Sequence, residues 1–353
     1  MTIRLPSLAM LALLLGPGPS AQAQETVTLT VHHFLSATAP THAAFIEPWA
    51  RRLEAESEGR LKFEIFPSMT LGGKAPELYQ QVRDGVADIV WTVIGYTPGV
   101  FPRAEVFELP TVHRGSATVT NLAIQDIFDE YLAEDFREVQ PILVHVHAGN
   151  ALHTVDREVR AIGDVAGLKL RTPTRTGAWM IEAWGAEPVG MPLPEVPQAL
   201  SRGVVDGVLI PFEVVLPLKI HEMTEYSVEG LDARRFGTAV FLFAMNRERY
   251  ESLPEDLRAL IDAHSGAHIA ADAGRVWDAV EPRVKDTIGG DGQTLMQLKP
   301  EAMAAFIDAG EAVVERWIQE AGERGLDGST LVAAARAAVE RHHLNILSQQ
   351  QPQ

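Results

Sequence analysis

The segment from Gly167 to Pro173, which reads Gly-Leu-Lys-Leu-Arg-Thr-Pro, is the clearest candidate for chemistry in this chain. Its alternation of apolar and basic residues is typical of a β-strand, whose successive side chains point to opposite faces. Because Pro173 cannot continue a central strand, Arg171 falls at the carboxyl end, which lines the ligand crevice of open α/β sheets. A guanidinium there matches a carboxylate through two parallel hydrogen bonds. On spacing alone, a surface arginine paired with an acidic residue is the simpler interpretation.

A second candidate anion site is the turn Leu71 to Glu77, which reads Leu-Gly-Gly-Lys-Ala-Pro-Glu. Lys74 and the backbone N–H groups could hold an anion at the start of the following helix. The turn lacks the second glycine and the Ser/Thr of a phosphate-binding P-loop. A tight turn with proline at the first helical position explains these residues without any ligand.

Aromatic residues lie in and after two apolar strands. Trp91 falls within a continuous apolar run, and Tyr96 lies in the loop that follows it. Phe212 and Glu213 occupy the corresponding place after the second apolar run. These side chains could form the walls of a ligand pocket, or they could pack between two lobes. The residues alone leave both interpretations open.

His145 and His147 would share one face of a strand, and such a pair can hold a metal ion. A metal-assisted hydrolase or lyase using His145, His147 or Glu213 is therefore an alternative function. The zinc patterns H-E-x-x-H and H-x-x-E-H are absent, as are the G-x-S-x-G of serine hydrolases and the dinucleotide-binding G-x-G-x-x-G. Buried structural histidines are the simpler expectation.

The composition narrows the class of protein. The 353 residues are 46% hydrophobic and 22% charged, which is a globular composition. Thirty basic against 47 acidic residues give a net charge of −17, which disfavours binding to nucleic acid or to an anionic membrane. The absence of cysteine excludes disulfides, thiolate metal sites and cysteine nucleophiles.

Residues 1–23 have the features of a secretory signal peptide. Arg4 precedes the apolar run Leu8 to Leu15, and Ala21-Gln22-Ala23 has the small-x-small form of a cleavage site. The apolar run is shorter than the roughly 20 residues that span a bilayer. We therefore expect a periplasmic protein of a Gram-negative bacterium, whose mature chain does not insert into the membrane.

Strands and helices alternate as far as residue 245, which indicates an α/β fold that must position these residues. The remaining chain predicts three long helices, Pro254 to Ile288, Pro300 to Arg324 and Ser329 to Leu347. Arg83 to Asp88 and Ser201 to Asp206 share one pattern, in which a helix end, a glycine and a strand start follow one another. This repetition suggests two similarly wound lobes.

Together these motifs resemble those of the DctP-type extracytoplasmic solute receptors of tripartite ATP-independent periplasmic (TRAP) transporters. The resemblance extends over essentially the whole mature chain, in the order of the family. The matching stretches are Leu71–Leu78, Gly85–Asp88, Pro98–Pro102, Glu108–Pro110, Gly167–Pro173, Gly185–Pro192 and Ala199–Gly207.

The resemblance implies a two-lobed periplasmic-binding-protein (Venus flytrap) architecture of the α/β class, with crossing hinge strands and a long helix that spans both lobes. Residues 24–147 plus 237–278 are expected to form lobe I, and residues 148–236 plus 279–347 to form lobe II. The segment Pro254 to Ile288 is the candidate for the long helix.

The resemblance also implies that Arg171 is the family's selectivity arginine, which grips the substrate carboxylate. Sialic-acid-binding members carry a further arginine where this chain reads Gly149 to His153, which argues against a sialic-acid-like ligand. The second polar anchor stays open among Asn150, His147, His153, Lys74 and Glu213. The expected ligand-binding residues are Arg171, Asn150, Phe212, Glu213, Trp91, Tyr96, His33, Phe34, Lys74 and His147.

From this resemblance we expect a receptor that captures a small organic acid by lobe closure and delivers it to the TRAP membrane permease for ion-gradient-driven uptake. The aromatic residues make aromatic, hydroxy- and keto-acids candidates. A cation bridging the ligand and Glu213 is a further hypothesis, and no other cofactor is expected. A ligand sensor for a signalling membrane protein is a second alternative beside the metal-assisted enzyme.

Overall fold

The structure, a computed structural model, describes residues 26–231 and 234–350. The predicted signal peptide, residues 1–23, lies outside the described residues. The strands of the described part are β1 (Val27–His33), β2 (Leu61–Phe66), β3 (Ile89–Val93), β4 (Val139–Val146), β5 (Ala151–Thr154), β6 (Lys169–Thr172), β7 (Glu187–Gly190), β8 (Gly207–Ile210), β9 (Tyr226–Gly230), β10 (Val240–Asn246) and β11 (Thr294–Leu298).

The helices of the described residues alternate with these strands and then dominate the C-terminal part. They are α1 (Glu47–Glu56), α2 (Leu78–Arg83), α3 (Ala117–Ile127), α4 (Arg175–Ala183), α5 (Val196–Ser201), α6 (Arg247–Glu251), α7 (Glu255–Ala263), α8 (Ala267–Gly290), α9 (Pro300–Glu323) and α10 (Gly328–Gln350). Within residues 26–231 and 234–350, no helix combines the length and the apolar character that a bilayer-crossing segment requires.

The prediction of one helix from Pro254 to Ile288 is wrong, because the chain breaks at Gly266 between α7 and α8. Gly266 has a φ of +54°, and its N–H donates to the carbonyl oxygen of Ile142 at 2.7 Å. Together with a ψ of −129°, this φ lies in a region of backbone conformation that is open essentially to glycine alone. The helices predicted from Pro300 and from Ser329 are confirmed as α9 and α10.

The first sheet has five strands in the order β2-β1-β3-β10-β4. β1 lies parallel between β2 and β3, whereas β10 runs antiparallel to both β3 and β4. Every residue of β3 is buried, which explains why its sequence is apolar apart from Thr92 rather than alternating. We call this sheet and the elements packed on it lobe I.

The second sheet, the core of lobe II, has six strands in the order β11-β9-β5-β8-β6-β7. β6 lies parallel between β7 and β8, and β5 runs antiparallel to both β8 and β9. β1 with its parallel neighbours β2 and β3 in lobe I therefore corresponds to β6 with its parallel neighbours β7 and β8 in lobe II. An antiparallel strand follows in each sheet, β10 beside β3 and β5 beside β8. This correspondence confirms the prediction that the two lobes are similarly wound. Gly85 and Gly203, with φ values of +73° and +64°, precede the equivalent strands β3 and β8.

α8 is the long helix that contacts both lobes. Its residue Trp277 packs against Phe45 and His145 of lobe I, with ring centroids 5.4 and 4.5 Å away. One turn later, Glu281 pairs with Arg235, in the segment between β9 and β10. The two-lobed architecture is thus confirmed, whereas the residue boundaries assigned to the lobes stay a prediction.

Candidate functional site

A narrow cavity lies between the two lobes, where the carboxyl ends of their parallel strands meet. Its volume, taken as the space open to the centre of a water molecule, is only about 30 Å³. The lining residues come from both sheets and from the crossing segments: Phe34, Leu35, Thr41, Trp91, Val93, Tyr96, His147, Asn150, Arg171, Pro173, Leu193, Ile210, Pro211, Glu213, Val214, Ala239 and Phe241.

Arg171 enters this cavity from β6, next to the carboxyl end of the strand as predicted. Its Nε and one Nη donate to the carbonyl oxygen of Met191 at 3.0 and 2.7 Å, and the other Nη lies 3.4 Å from the carbonyl oxygen of Leu209. These carbonyls fix the plane of the guanidinium. The side chain is held in one orientation by the backbone of its own lobe.

No carboxylate of the described residues lies within ion-pair distance of Arg171, although this residue is only 2% exposed. Burial lowers its pKa, but a guanidinium remains protonated in proteins. The hydroxyl of Tyr96 lies beside the guanidinium and accepts a hydrogen bond from the N–H of Leu193 at 2.9 Å. The carboxylate of Glu195 acts on the guanidinium only from beyond ion-pair distance. A buried cation without a directly paired anion is costly, so the site is electrostatically prepared for an anion.

Aromatic rings from lobe I form one wall of the cavity. Trp91 stacks on Phe241 with 4.6 Å between centroids and 12° between planes. Phe34 packs against Trp91 and Tyr96 at 5.1 and 5.6 Å. Rings at such distances attract one another beyond simple area burial, and they offer an apolar surface to a planar ligand.

His145 supports this wall from behind. Its Nε2 accepts the indole N–H of Trp91 at 2.9 Å, and its ring lies 4.5 Å from that of Trp277. Burial lowers the pKa of His145 to about 3, so the ring is neutral and can accept this hydrogen bond. His145 thus orients Trp91.

His147 and Asn150, from the segment between β4 and β5, line the polar part of the cavity. The Nδ1 of His147 accepts the N–H of Gly149 at 2.9 Å. The pKa of His147 lies well below its usual value, chiefly because of burial and then because of nearby His113. Asn150 is fixed by backbone hydrogen bonds to Gly237 and Phe236, each 2.9 Å long.

Glu213 follows β8 and is only 2% exposed. Its Oε2 has no hydrogen-bond partner among the described residues. Burial raises the pKa of Glu213 well above its usual value, and the negative charge of Glu281 adds to this effect. These surroundings favour the protonated form of its carboxyl group over the ionised form.

The structure places seven of the ten predicted ligand-binding residues in the lining of this cavity: Phe34, Trp91, Tyr96, His147, Asn150, Arg171 and Glu213. Their roles as ligand contacts stay a prediction. The other three, Phe212, His33 and Lys74, lie elsewhere. Phe212 packs beneath Lys285 and against His153, His33 contacts His42 at 2.9 Å between ring nitrogens, and Lys74 is exposed.

The prediction missed Phe241 and Leu193. Phe241 reaches Trp91 because β10 returns from lobe II to pair with β3, and the pairing of such distant strands leaves no local signal. Leu193 joins the cavity lining because its N–H donates a hydrogen bond to the hydroxyl of Tyr96, which belongs to the other lobe. An apolar run from Ala239 to Met245 indicates a buried strand, but it does not reveal the neighbours of that strand.

A larger depression of about 630 Å³ lies on another face, between the loop Pro110–Arg114 and the helices α9 and α10. Three of the four arginines that line it have carboxylate partners: Arg336 pairs with Glu311, Arg114 with Glu340, and Arg235 with Glu229 and Glu281. This makes it a weaker candidate for binding an anion. Across residues 26–231 and 234–350, no three His, Asp or Glu side chains are grouped so as to hold a metal ion.

The chain was compared with known protein families and with characterised relatives. The sequence profile of the DctP family, described as bacterial extracellular solute-binding protein, family 7, matches residues 31–320. An ectoine/5-hydroxyectoine-binding periplasmic protein of Ruegeria pomeroyi is 25% identical over 342 residues, which is 92% of this chain and 94% of that protein.

Two solved structures are similar along nearly their whole length. A marine metagenome TRAP solute-binding protein specific for aromatic acid ligands, solved with 3-hydroxybenzoate, is 41% identical with a TM-score of 0.88, covering 90% of this chain and 99% of that one. A TRAP solute-binding protein of Rhodoferax ferrireducens, solved with copurified benzoate, is 37% identical with a TM-score of 0.88, covering 91% and 100%.

Proposed function

Since the chain belongs to the DctP family, the family 7 bacterial extracellular solute-binding proteins, we propose that it is a periplasmic receptor for a small aromatic carboxylate. The receptor captures this acid by lobe closure and delivers it to the membrane subunits of a TRAP permease. The two similar structures described above bind 3-hydroxybenzoate and benzoate, which supports this ligand class.

The observation that carries the proposal is the buried guanidinium of Arg171, which faces a cavity and has no ion-pair partner among the described residues. A ligand carboxylate supplies the missing charge through hydrogen bonds that are charge-assisted and protected from water. Trp91, Phe241 and Phe34 surround the rest of the space with rings. A flat aromatic ring suits so narrow and apolar a cavity.

Lobe closure assembles this site from two halves. Arg171 belongs to lobe II, whereas Trp91 and Tyr96 belong to lobe I. The lobes meet closely here: a Cβ on Gly95 would lie only 2.7 Å from Cγ2 of Thr174. A ligand that contacts both halves binds the closed state more tightly than the open one, and this difference drives closure.

The metal-assisted hydrolase or lyase finds less support than the receptor. His145 is occupied as the acceptor for Trp91, and His147 accepts a backbone N–H. The ring of His145 is buried behind the aromatic wall, whereas that of His147 lines the cavity beside the crossing segments. The families and structures that match this chain are solute receptors.

Calorimetric titration with benzoate tests the proposal. The wild-type protein should bind benzoate with one site per chain, and Arg171→Met should weaken binding at least about thirty-fold, because it removes one member of a buried charge pair. Arg324→Met is the matched control, since Arg324 is a surface arginine of the α9 end outside the cavity. Equal affinity of wild type and Arg171→Met, or release of a chemically altered product, would contradict the receptor.

A further inference from the structure

The cavity carries a single permanent charge. Among the described residues that line it, Arg171 is the only lysine or arginine, and Glu213 is the only carboxylic acid. Tyr96, Asn150 and Thr41 are neutral, and His147 holds a neutral ring because its Nδ1 accepts the N–H of Gly149. The charge of the site therefore depends on whether Glu213 keeps its proton.

The surroundings of Glu213 disfavour its ionised form. Its Oε2 is fully buried and receives no hydrogen bond from any described residue, whereas an ionised carboxylate requires donors on both oxygens. Burial is the largest influence, and the negative charges of Glu281 and Asp278 on α8 add to it, whereas a hydrogen bond to the backbone N–H of Glu213 itself and the positive charge of Arg235 act in the opposite direction. That guanidinium already binds Glu229 and Glu281.

A protonated Glu213 presents an O–H donor to the cavity. Such a group can bind a neutral ligand oxygen, whereas it has nothing to offer a second carboxylate. A ligand with one carboxylate would be neutralised by Arg171, but a second negative charge would remain buried and unpaired. The cavity is therefore matched to a net charge of −1.

We propose that Glu213 acts as a neutral hydrogen-bond donor that selects aromatic monocarboxylates bearing a hydroxyl or carbonyl oxygen and rejects aromatic dicarboxylates. This rests on the proposed function, because it presumes that Arg171 holds the first carboxylate. Glu213 then determines specificity, whereas Arg171 determines affinity for the class.

The test is calorimetry with benzoate and the three ring isomers of hydroxy-, formyl- and carboxybenzoate. In the wild type, one hydroxy isomer and the matching formyl isomer should bind about 5- to 15-fold more tightly than benzoate, as expected for one neutral hydrogen bond. All carboxy isomers should bind at least about thirty-fold more weakly than benzoate.

Two variants separate the role of Glu213 from a general effect on the fold. Glu213→Met should reduce the ratio of the affinity for the oxygenated isomers to the affinity for benzoate to about one, and Glu213→Gln, whose amide still donates, should retain part of this preference. The inference is overturned if Glu213→Met keeps the preference, if a carboxy isomer binds as well as benzoate, or if the preference requires added sodium or calcium ions. None of these results would contradict the proposed function, provided that the wild type binds benzoate in a manner that depends on Arg171. A wild-type protein that does not bind benzoate would contradict the proposed function itself.

Discussion

Two arginines are buried deep in this molecule, and their surroundings differ. Arg235 lies between the lobes with its side chain fully buried, and its guanidinium pairs with Glu229 and Glu281. Arg171 is equally buried, but its hydrogen bonds go to the carbonyl oxygens of Met191 and Leu209. One cation is neutralised by the protein's own carboxylates, and the other faces a cavity without such a partner.

The difference separates a structural cation from a binding cation. A guanidinium surrounded by ionised carboxylates has its charge satisfied in the folded chain, and it joins the elements that supply them. A guanidinium oriented by backbone carbonyls and a tyrosine hydroxyl, rather than by carboxylates, keeps its charge available for an external anion. Burial alone does not distinguish the two arginines, whereas their partners do.

The largest expected effect is on folding. Arg235→Met should lower the free energy of unfolding of the ligand-free protein by about 3–5 kcal/mol, because among the described residues it leaves the buried Glu229 and Glu281 with Lys285 as their cationic partner and with one hydrogen bond from Gln297 to Glu229. Arg171→Met should change it by less than about 1.5 kcal/mol, because the lost hydrogen bonds are offset by removal of an unpaired buried charge. Urea unfolding of both variants measures these changes in unfolding free energy. Equal losses in the two variants would contradict the distinction between a structural and a binding arginine.

The second largest effect is expected on ligand binding, when Arg171 is given an internal carboxylate partner such as Arg235 has. Leu193→Glu places a carboxylate in the cavity beside the Tyr96 hydroxyl, and it should abolish benzoate binding by competing for Arg171. Leu193→Gln is the matched control, since it has the same shape without the charge. It should retain measurable affinity in calorimetry. Equal benzoate affinity of the two variants would show that an internal carboxylate is not what separates the surroundings of Arg235 from those of Arg171.

The smallest expected effect is on the pH dependence of stability, and it concerns His145, the neutral residue behind the aromatic wall. The pKa of His145 is about 3 in the folded protein and near 6.5 when unfolded, so the unfolded chain binds more protons between these values. Stability therefore falls as the pH drops below about 6.5. Between pH 7 and 5.5, His145→Gln should lose about 1 kcal/mol less unfolding free energy than the wild type. Parallel losses in both proteins would show that His145 is already charged in the fold.

Much of the architecture could be predicted because strand and helix periodicities are local. The position of Arg171 at the end of β6 follows from Leu168, Leu170 and Pro173, and its ligand role follows from the family resemblance. The break at Gly266 could not be predicted, because it depends on a hydrogen bond to Ile142, more than one hundred residues away.

The composition of the cavity was predictable only in part for the same reason. Phe34, Trp91 and Tyr96 follow strands whose ends meet at the cleft, so their positions could be anticipated. Phe241 arrives on a strand that returns from the other lobe, and its pairing with β3 is a long-range contact. Lys74 has the chemistry for an anion site, but its turn is exposed and lies outside the cavity.

A crystal structure of the protein grown with benzoate tests the central claim most directly. The account predicts the carboxylate within hydrogen-bond distance of the guanidinium of Arg171, with the ring against Trp91 and Phe241. It also predicts that Arg235 keeps its contacts with Glu229 and Glu281. Benzoate in the outer depression beside Arg336, with the cavity at Arg171 empty, would contradict the account.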